Sequence, residues 1–218
     1  MLIQGQVGAP SSQASIAPGT NPPIRQGQLG DVIASQLHGR YYEATYRQSV
    51  FSTFVNGLSI GVATTYNSPL TAGTGTPIIG IYNPIGSGKN LSLIRVQNTP
   101  TSGTSGGPLL WNIIPNPQSI TAATNATAYN MGTLTQTGSV TKIWNATAIT
   151  GSPSNGVPFR DIAGPSSAAS VVGAIQTYME EIAGSIIVPP GSMIAMATTA
   201  AGTSYVFSAY VEWEEIPI

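Results

Sequence analysis

The sequence contains no cysteine and very little charge. Without cysteine, the chain has no disulfide framework, no thiolate zinc site and no thiol nucleophile. Charged residues make up 7% of the 218 residues, whereas an ordinary soluble domain carries about 25%. A nucleic-acid-binding surface needs clustered lysine and arginine, and the chain has only 7 of these residues in total. We therefore expect no nucleic-acid partner.

Long apolar runs and an export signal are also missing. The apolar stretches are short, such as Ile186–Val188, whereas a membrane-spanning helix needs about 20 apolar residues. Residues Met1–Gln6 form neither the basic region nor the apolar region of a signal peptide. A charge-rich disordered chain is excluded too, because 41% of the residues are apolar and the net charge is −1. These features predict a folded protein without a membrane partner.

The missing charge is replaced by serine, threonine, asparagine, 25 glycines and 17 prolines. A surface with so little charge repels other copies of the same protein only weakly. It therefore favours a protein that packs against its own copies or against a partner. A low-charge secreted or surface domain is the alternative. We expect a homo-oligomer, with a trimer as the first hypothesis.

Composition changes twice along the chain. The first stretch, Met1 to about Ile24, has four prolines and no charged side chain. Such a stretch cannot bury enough apolar surface to offset the entropy lost on ordering. We expect it to become ordered only where it lies on a partner.

A charged patch follows, from Arg25 to about Val50, and holds 5 of the 15 charged residues together with the single histidine, His38. Arginine and tyrosine often dominate binding energy at interfaces. The predicted interface residues are Arg40, Tyr41, Tyr42 and Arg47, with an ordinary solvated segment as the alternative. We assign residues 1–50 to an extended attachment arm and residues 51–218 to the folded body.

The folded body is predicted to be all-β. Short β-branched or alternating runs lie between clusters of glycine, proline, asparagine and serine, which is typical of strands. The predicted strands are Leu58–Tyr66, Pro77–Tyr82, Asn90–Gln97, Leu109–Ile114, Val140–Thr147, Gly184–Val188, Ser192–Thr198 and Ser204–Glu215. These roughly eight strands predict an antiparallel two-sheet sandwich of the jelly-roll type. A short helix is an alternative for Ser167–Ala183.

Two sequence motifs suggest catalysis and are rejected. Gly103–Pro108 resembles the nucleophile segment of trypsin-like proteases, but no aspartate lies between His38 and Ser105 to orient the imidazole. Gly86–Asn90 resembles a phosphate loop, but that motif requires glycine at position 83 and serine or threonine at position 90. Both of these positions are asparagine, and we predict a hairpin turn there instead. No enzyme activity is expected.

A cluster of glutamates near the C-terminus raises the question of a metal site. Glu212 and Glu214 share a strand face, and with Glu215 they have the oxygen ligands that calcium prefers. We favour a solvated edge strand, on which the charges prevent pairing with other chains. The sequence therefore predicts neither a metal site nor a cofactor.

Three segments resemble structural proteins of tailed bacteriophages. The segments are Leu37–Phe51 with its Arg-Tyr-Tyr-Glu sequence, Pro77–Val96 with Asn-Pro-Ile-Gly-Ser-Gly, and Val188–Ser192 followed by a strand ending at Glu215. The resemblance implies a virion component, namely a jelly-roll decoration or cement protein on the capsid surface. Its partners would be its own copies and the major capsid protein or another virion protein.

A second hypothesis is a head-fibre or tail component that binds the host surface or a glycan. Trp111, Trp144 and Trp213 would stack on sugars if their rings were exposed. Aromatic residues of sheets more often belong to the core or to an interface. The first hypothesis is therefore preferred.

Overall fold

The computed structural model describes residues 39–60, 79–104, 109–114, 126–136, 138–145, 157–163, 177–198 and 203–218. The chain divides into two compact units, Met1–Tyr42 and Glu43–Ile218, and all the described strands lie in the second. The elements are α1 (Tyr42–Tyr46), β1 (Val50–Ile60), β2 (Ile79–Tyr82), β3 (Lys89–Thr104), β4 (Leu109–Ile114), β5 (Tyr129–Asn130), β6 (Lys142–Asn145), β7 (Val157–Ala163), β8 (Tyr178–Glu181), β9 (Ile187–Val188), β10 (Met193–Thr198) and β11 (Thr203–Pro217). The fold is therefore all-β, as predicted.

The strands form two antiparallel sheets. The first sheet has the order β5-β1-β11-β3-β8, with β9 also paired to β3, and the second has the order β6-β2-β10-β4-β7. The chain alternates between the sheets from β1 to β6 and again from β9 to β11. This is the pattern of a jelly roll. The short strands β5 and β6 add one strand to an edge of each sheet.

The core lies between the two sheets, where strand alternation directs every second side chain. In the first sheet, the rings of Phe51 and Trp213 stack on each other, with their centroids 6.3 Å apart. The second sheet contributes Trp111, Ile79 and Met196, all fully buried. Truncation of a buried tryptophan to alanine typically costs about 3–5 kcal/mol, so Trp111 and Trp213 are main contributors to stability.

Several predicted strands match the structure closely. Strand β4 has the predicted bounds, and β10 begins one residue after the predicted start. The first predicted strand is displaced, because β1 begins at Val50 rather than Leu58. Residues 61–66 of that prediction lie outside the described residues.

Two local predictions are wrong. The turn after Tyr82 does not make a hairpin, because β2 lies in the second sheet and β3 in the first. It carries the chain from one sheet to the other. The helix considered for Ser167–Ala183 is contradicted at Tyr178–Glu181, which form β8 and pair with β3. Residues 167–176 lie outside the described residues.

In the part of the chain that the structure describes, no helix has the length and apolar character needed to cross a membrane.

Candidate interaction site

The four predicted interface residues lie in and beside α1. The guanidinium carbon of Arg40 is 5.4 Å from the ring centroid of Tyr41, within cation–π distance. Tyr42 begins the helix and is 45% exposed. The Nε of Arg47 donates to Oε1 of Glu43 at 2.7 Å, in an exposed ion pair. The structure thus brings Arg40 and Tyr41 together and pairs Arg47 with a residue outside the predicted set.

The end of α1 is fastened to the body by Asn130, which sequence reasoning missed. Its Nδ2 donates to the carbonyl of Gln48 at 2.7 Å, and its Oδ1 accepts from the amides of Gly132 and Thr133. A Cβ at Gly132 would overlap the carbonyl oxygen of Thr45, so only glycine permits this approach. Asn130 therefore fixes the exposed helix end relative to β1.

Glu215 forms a buried polar cluster at one end of the sandwich. Its side chain points to the inner face of β11 and is fully buried. Oε2 lies 2.8 Å from Nζ of Lys89. Oε1 accepts from the Ser139 hydroxyl at 2.7 Å, the Val140 amide at 3.0 Å and the Thr141 hydroxyl at 3.2 Å. The carboxylate thereby joins β11, the start of β3 and the segment before β6.

The structure corrects the prediction of a solvated glutamate edge. Strand β11 is central, because it pairs with β1 on one side and with β3 on the other. Glu212 and Glu214 face outward as expected, whereas Glu215 shares the inner face with Trp213. The alternation of side chains along a strand already predicts this inward direction of Glu215, because residues 213 and 215 must lie on the same face.

A second polar anchor, Asn83, joins the two sheet-crossing turns. Its Nδ2 donates to the carbonyls of Lys89 at 2.7 Å and Val188 at 2.9 Å. Its backbone amide donates to Ser192, and its carbonyl accepts from Gly191. Parts of the segments Pro77–Val96 and Val188–Ser192 therefore meet at Asn83, and the Lys89–Glu215 pair joins the C-terminal strand to them.

This corner also exposes apolar side chains. The amide of Ile218 donates to the carbonyl of Gly88, which places the end of the chain beside the β2–β3 turn. Ile218 and Ile85 are each 74% exposed, and Ile187 and Ile216 are exposed as well. Such a concentration of exposed isoleucine is characteristic of a surface that is covered by a partner.

The outer face of the first sheet is a further exposed surface. Across β1, β11, β3 and β8, the register aligns Phe54, Tyr210, Gln97 and Met179. Phe54 is 57% and Met179 59% exposed. Burial, and then the negative charge of Glu212, raise the pKa of the Tyr210 hydroxyl above its ordinary value.

Charged residues lie beside this apolar row. The register places Arg95 between Glu212 and Glu181, and Nε of Arg95 donates to Oε1 of Glu181 at 2.6 Å. Burial alone would lower the pKa of Arg95, but the hydrogen bond and charge of Glu181, together with Glu212, raise it. Glu214 lies on the same face and forms no ion pair with another described residue. The face therefore carries excess negative charge.

The residues considered for sugar, metal and protease chemistry are not assembled into a site in the described structure. Trp111 and Trp213 are 0% exposed, so neither ring is available to a sugar. The Trp144 side chain, His38 and Ser105 lie outside the described residues. Within the described ranges, no three histidine, aspartate or glutamate side chains are grouped to hold a metal ion.

Fold and surfaces together define an antiparallel jelly-roll protein with exposed apolar and aromatic patches. No protein-family model matches the chain, and no curated protein matches it. Among solved structures, the chain is similar to VP1 of KI polyomavirus, solved as an unassembled pentamer. The identity is 9%, the match covers 78% of this chain and 95% of that chain, and the TM-score is 0.24. A likeness this distant indicates neither a function nor an assembly state.

Proposed function

We propose that the protein is a non-enzymatic structural component of a virion, which decorates or cements the capsid exterior as a homo-oligomer. The observation that carries this proposal is the set of exposed apolar and aromatic side chains on a jelly-roll body with few charges. These residues are Tyr42, Tyr46, Phe54, Ile85, Ile113, Tyr129, Leu134, Met179, Ile187, Ile216 and Ile218. In an assembly, such side chains would be buried against neighbouring molecules.

The partners proposed are further copies of this chain and the major capsid protein or another virion protein. Residues 1–50 are proposed to provide the attachment, because Arg40, Tyr41, Tyr42 and Arg47 are residue types that frequently anchor interfaces. The resemblance to bacteriophage structural proteins supports the same role. A trimer is the proposed oligomer.

The polar anchors support a binding role for the body. Glu215 and Asn83 each connect segments that are distant in sequence. Their hydrogen bonds therefore fix the turns and the end of β11 in one conformation relative to each other. A surface that is ordered before binding loses less conformational entropy on association. These buried groups therefore suit a body that presents fixed contact surfaces.

The second candidate, a host-surface or glycan-binding head-fibre or tail component, gains no support from the described tryptophans. Trp111 and Trp213 pack in the core. The two candidates differ in where the protein lies on the virion: an even distribution over the capsid fits the first, and a few copies at a tail or fibre tip fit the second.

Reconstitution tests the proposed function. Purified full-length protein is added to capsid particles that lack it, and the bound fraction is measured by co-sedimentation. We expect saturable binding at a fixed ratio to the major capsid protein. Particles that already carry the protein serve as the control and should bind no more. Absence of saturable binding to the depleted particles would contradict the proposal.

A further inference from the structure

The outer face of the first sheet differs from that of the second. On the second sheet, the outward side chains of Met193 and Ala195 are almost fully buried, at 1% and 0% exposure. On the first sheet, Phe54 and Met179 remain more than half exposed. A sheet face that exposes an aromatic ring and a methionine in one row is a candidate for contact with another molecule.

Charge determines which kind of molecule suits this face. Glu181, Glu212 and Glu214 lie on it with a single base, Arg95. If two copies met through this same face, the glutamate side chains of one copy would lie against those of the other. Like charges in contact at an interface are strongly unfavourable. The occupant must therefore be basic, with apolar or aromatic groups for the exposed row.

The segment from Gly39 to Arg47 has these properties. It contains two arginines, Arg40 and Arg47, and one acid, Glu43, so its net charge is positive. Two of its three tyrosines are exposed, Tyr42 at 45% and Tyr46 at 72%. Asn130 fastens the end of this segment to the body through the carbonyl of Gln48, so the tyrosine next to it is presented on an ordered support.

We propose that the outer face of the first sheet binds residues 39–47 of a second copy of this chain. The arginines of one copy lie against Glu212 and Glu214 of the other, and the tyrosines pack on the row that contains Phe54 and Met179. The inference deepens the proposed function, since it rests on the proposed oligomer and names the two surfaces that form it.

This contact joins two different surfaces, so it is head-to-tail rather than two-fold. A head-to-tail contact closes into a ring when its rotation permits, and a three-membered ring is the trimer proposed above. The uncharged stretch Met1 to Ile24 then remains available for the capsid.

Charge reversal and charge swapping test the proposal. The dissociation constant of the full-length oligomer is measured by sedimentation equilibrium for the wild type, Glu214→Lys, Arg47→Glu and the double variant. Each single reversal should raise the dissociation constant at least about tenfold, because it places like charges together. The double variant should restore association. Lys142→Glu, an exposed reversal on β6 of the second sheet, is the matched control and should change nothing.

The folding control and the results that would contradict the proposed contact between copies are as follows. Circular dichroism verifies folding. Glu214→Gln and Arg47→Gln, which remove a charge without reversing it, replace the corresponding reversal if it misfolds and should weaken association less. An unchanged dissociation constant for either single variant would overturn the proposal, as would a double variant that does not restore association or a monomeric wild type. If Glu214→Lys weakens binding to particles but leaves the oligomer intact, the occupant is a basic surface of another virion protein, and the second copy is excluded. Co-sedimentation of the wild type with particles judges the proposed virion role separately.

Discussion

Nζ of Lys89 lies 2.8 Å from Oε2 of Glu215, 126 residues further along the chain. The carboxylate side chain is 0% exposed and the lysine side chain 28% exposed, so the carboxylate is shielded from water while the lysine is partly solvated. A buried charge is stable only when it is paired and its other lone pairs are hydrogen-bonded. The donors Ser139, Val140 and Thr141 meet that requirement at Oε1.

Replacing Glu215 by alanine should strongly destabilise the protein. The change leaves two hydroxyls, one amide and the partly exposed Lys89 ammonium without their acceptor, and each lost hydrogen bond to a charged group costs about 1.5–3 kcal/mol. Chemical denaturation measures the free energy of unfolding. The matched control is Lys142→Ala, at an exposed position of β6 in the second sheet, which should change stability by less than about 0.5 kcal/mol. Equal effects of the two changes would refute the role given to Glu215.

Asn130→Ala should lower the free energy of unfolding by about 1–3 kcal/mol, because the carbonyl of Gln48 and two amides lose their partner in part-buried hydrogen bonds. Gly132→Ala should also destabilise, since the new Cβ meets the carbonyl oxygen of Thr45. Gln136→Ala, at an exposed position in the same segment, is the control. Thermal unfolding gives the comparison, and an Asn130→Ala protein as stable as the control variant would contradict the structure.

Tyr210 should make stability depend on pH in the alkaline range. Its pKa is raised in the folded state, so folding favours the protonated hydroxyl. The resulting stabilisation is fully present below the unfolded pKa of 10.0 and is lost as pH rises through the higher folded pKa. Denaturant unfolding between pH 9 and strongly alkaline pH should show a steeper loss for the wild type than for Tyr210→Phe. Parallel curves would show that the hydroxyl does not contribute.

Removal of Met1–Ile24 should leave a folded body that binds particles poorly. Ordering this stretch costs about 1–2 kcal/mol per residue of backbone entropy, which contacts with a partner must offset. Circular dichroism should show unchanged β-structure, and co-sedimentation with depleted particles should fall. If the truncated protein binds as tightly as the full chain, these residues are not needed for attachment.

Most of the fold was predictable from local sequence pattern. In β4, β10 and β11, apolar and polar residues alternate or the residues are continuously apolar, and turn residues lie on either side. Strand β8 was not, since Met179, Glu180 and Glu181 are compatible with a helix when judged alone. Pairing with β3 decides their conformation, and strand preference depends on such neighbours.

The site was less predictable. The inward direction of Glu215 follows from its spacing to Trp213, but its partner does not. Lys89 is distant in sequence, and only the jelly-roll topology brings the start of β3 to the end of β11. The roles of Asn83 and Asn130 likewise depend on carbonyls that the folded backbone positions, which no local pattern indicates.

Electron cryomicroscopy of purified virions tests whether this protein is a structural part of a virion. Virions with the protein and virions that lack it are reconstructed under the same conditions. We expect difference density on the capsid exterior that fits the two-sheet sandwich, in oligomers repeated over the lattice. Virions whose capsid exterior shows no difference density would contradict it, and density confined to a tail or fibre tip would favour the receptor-binding alternative.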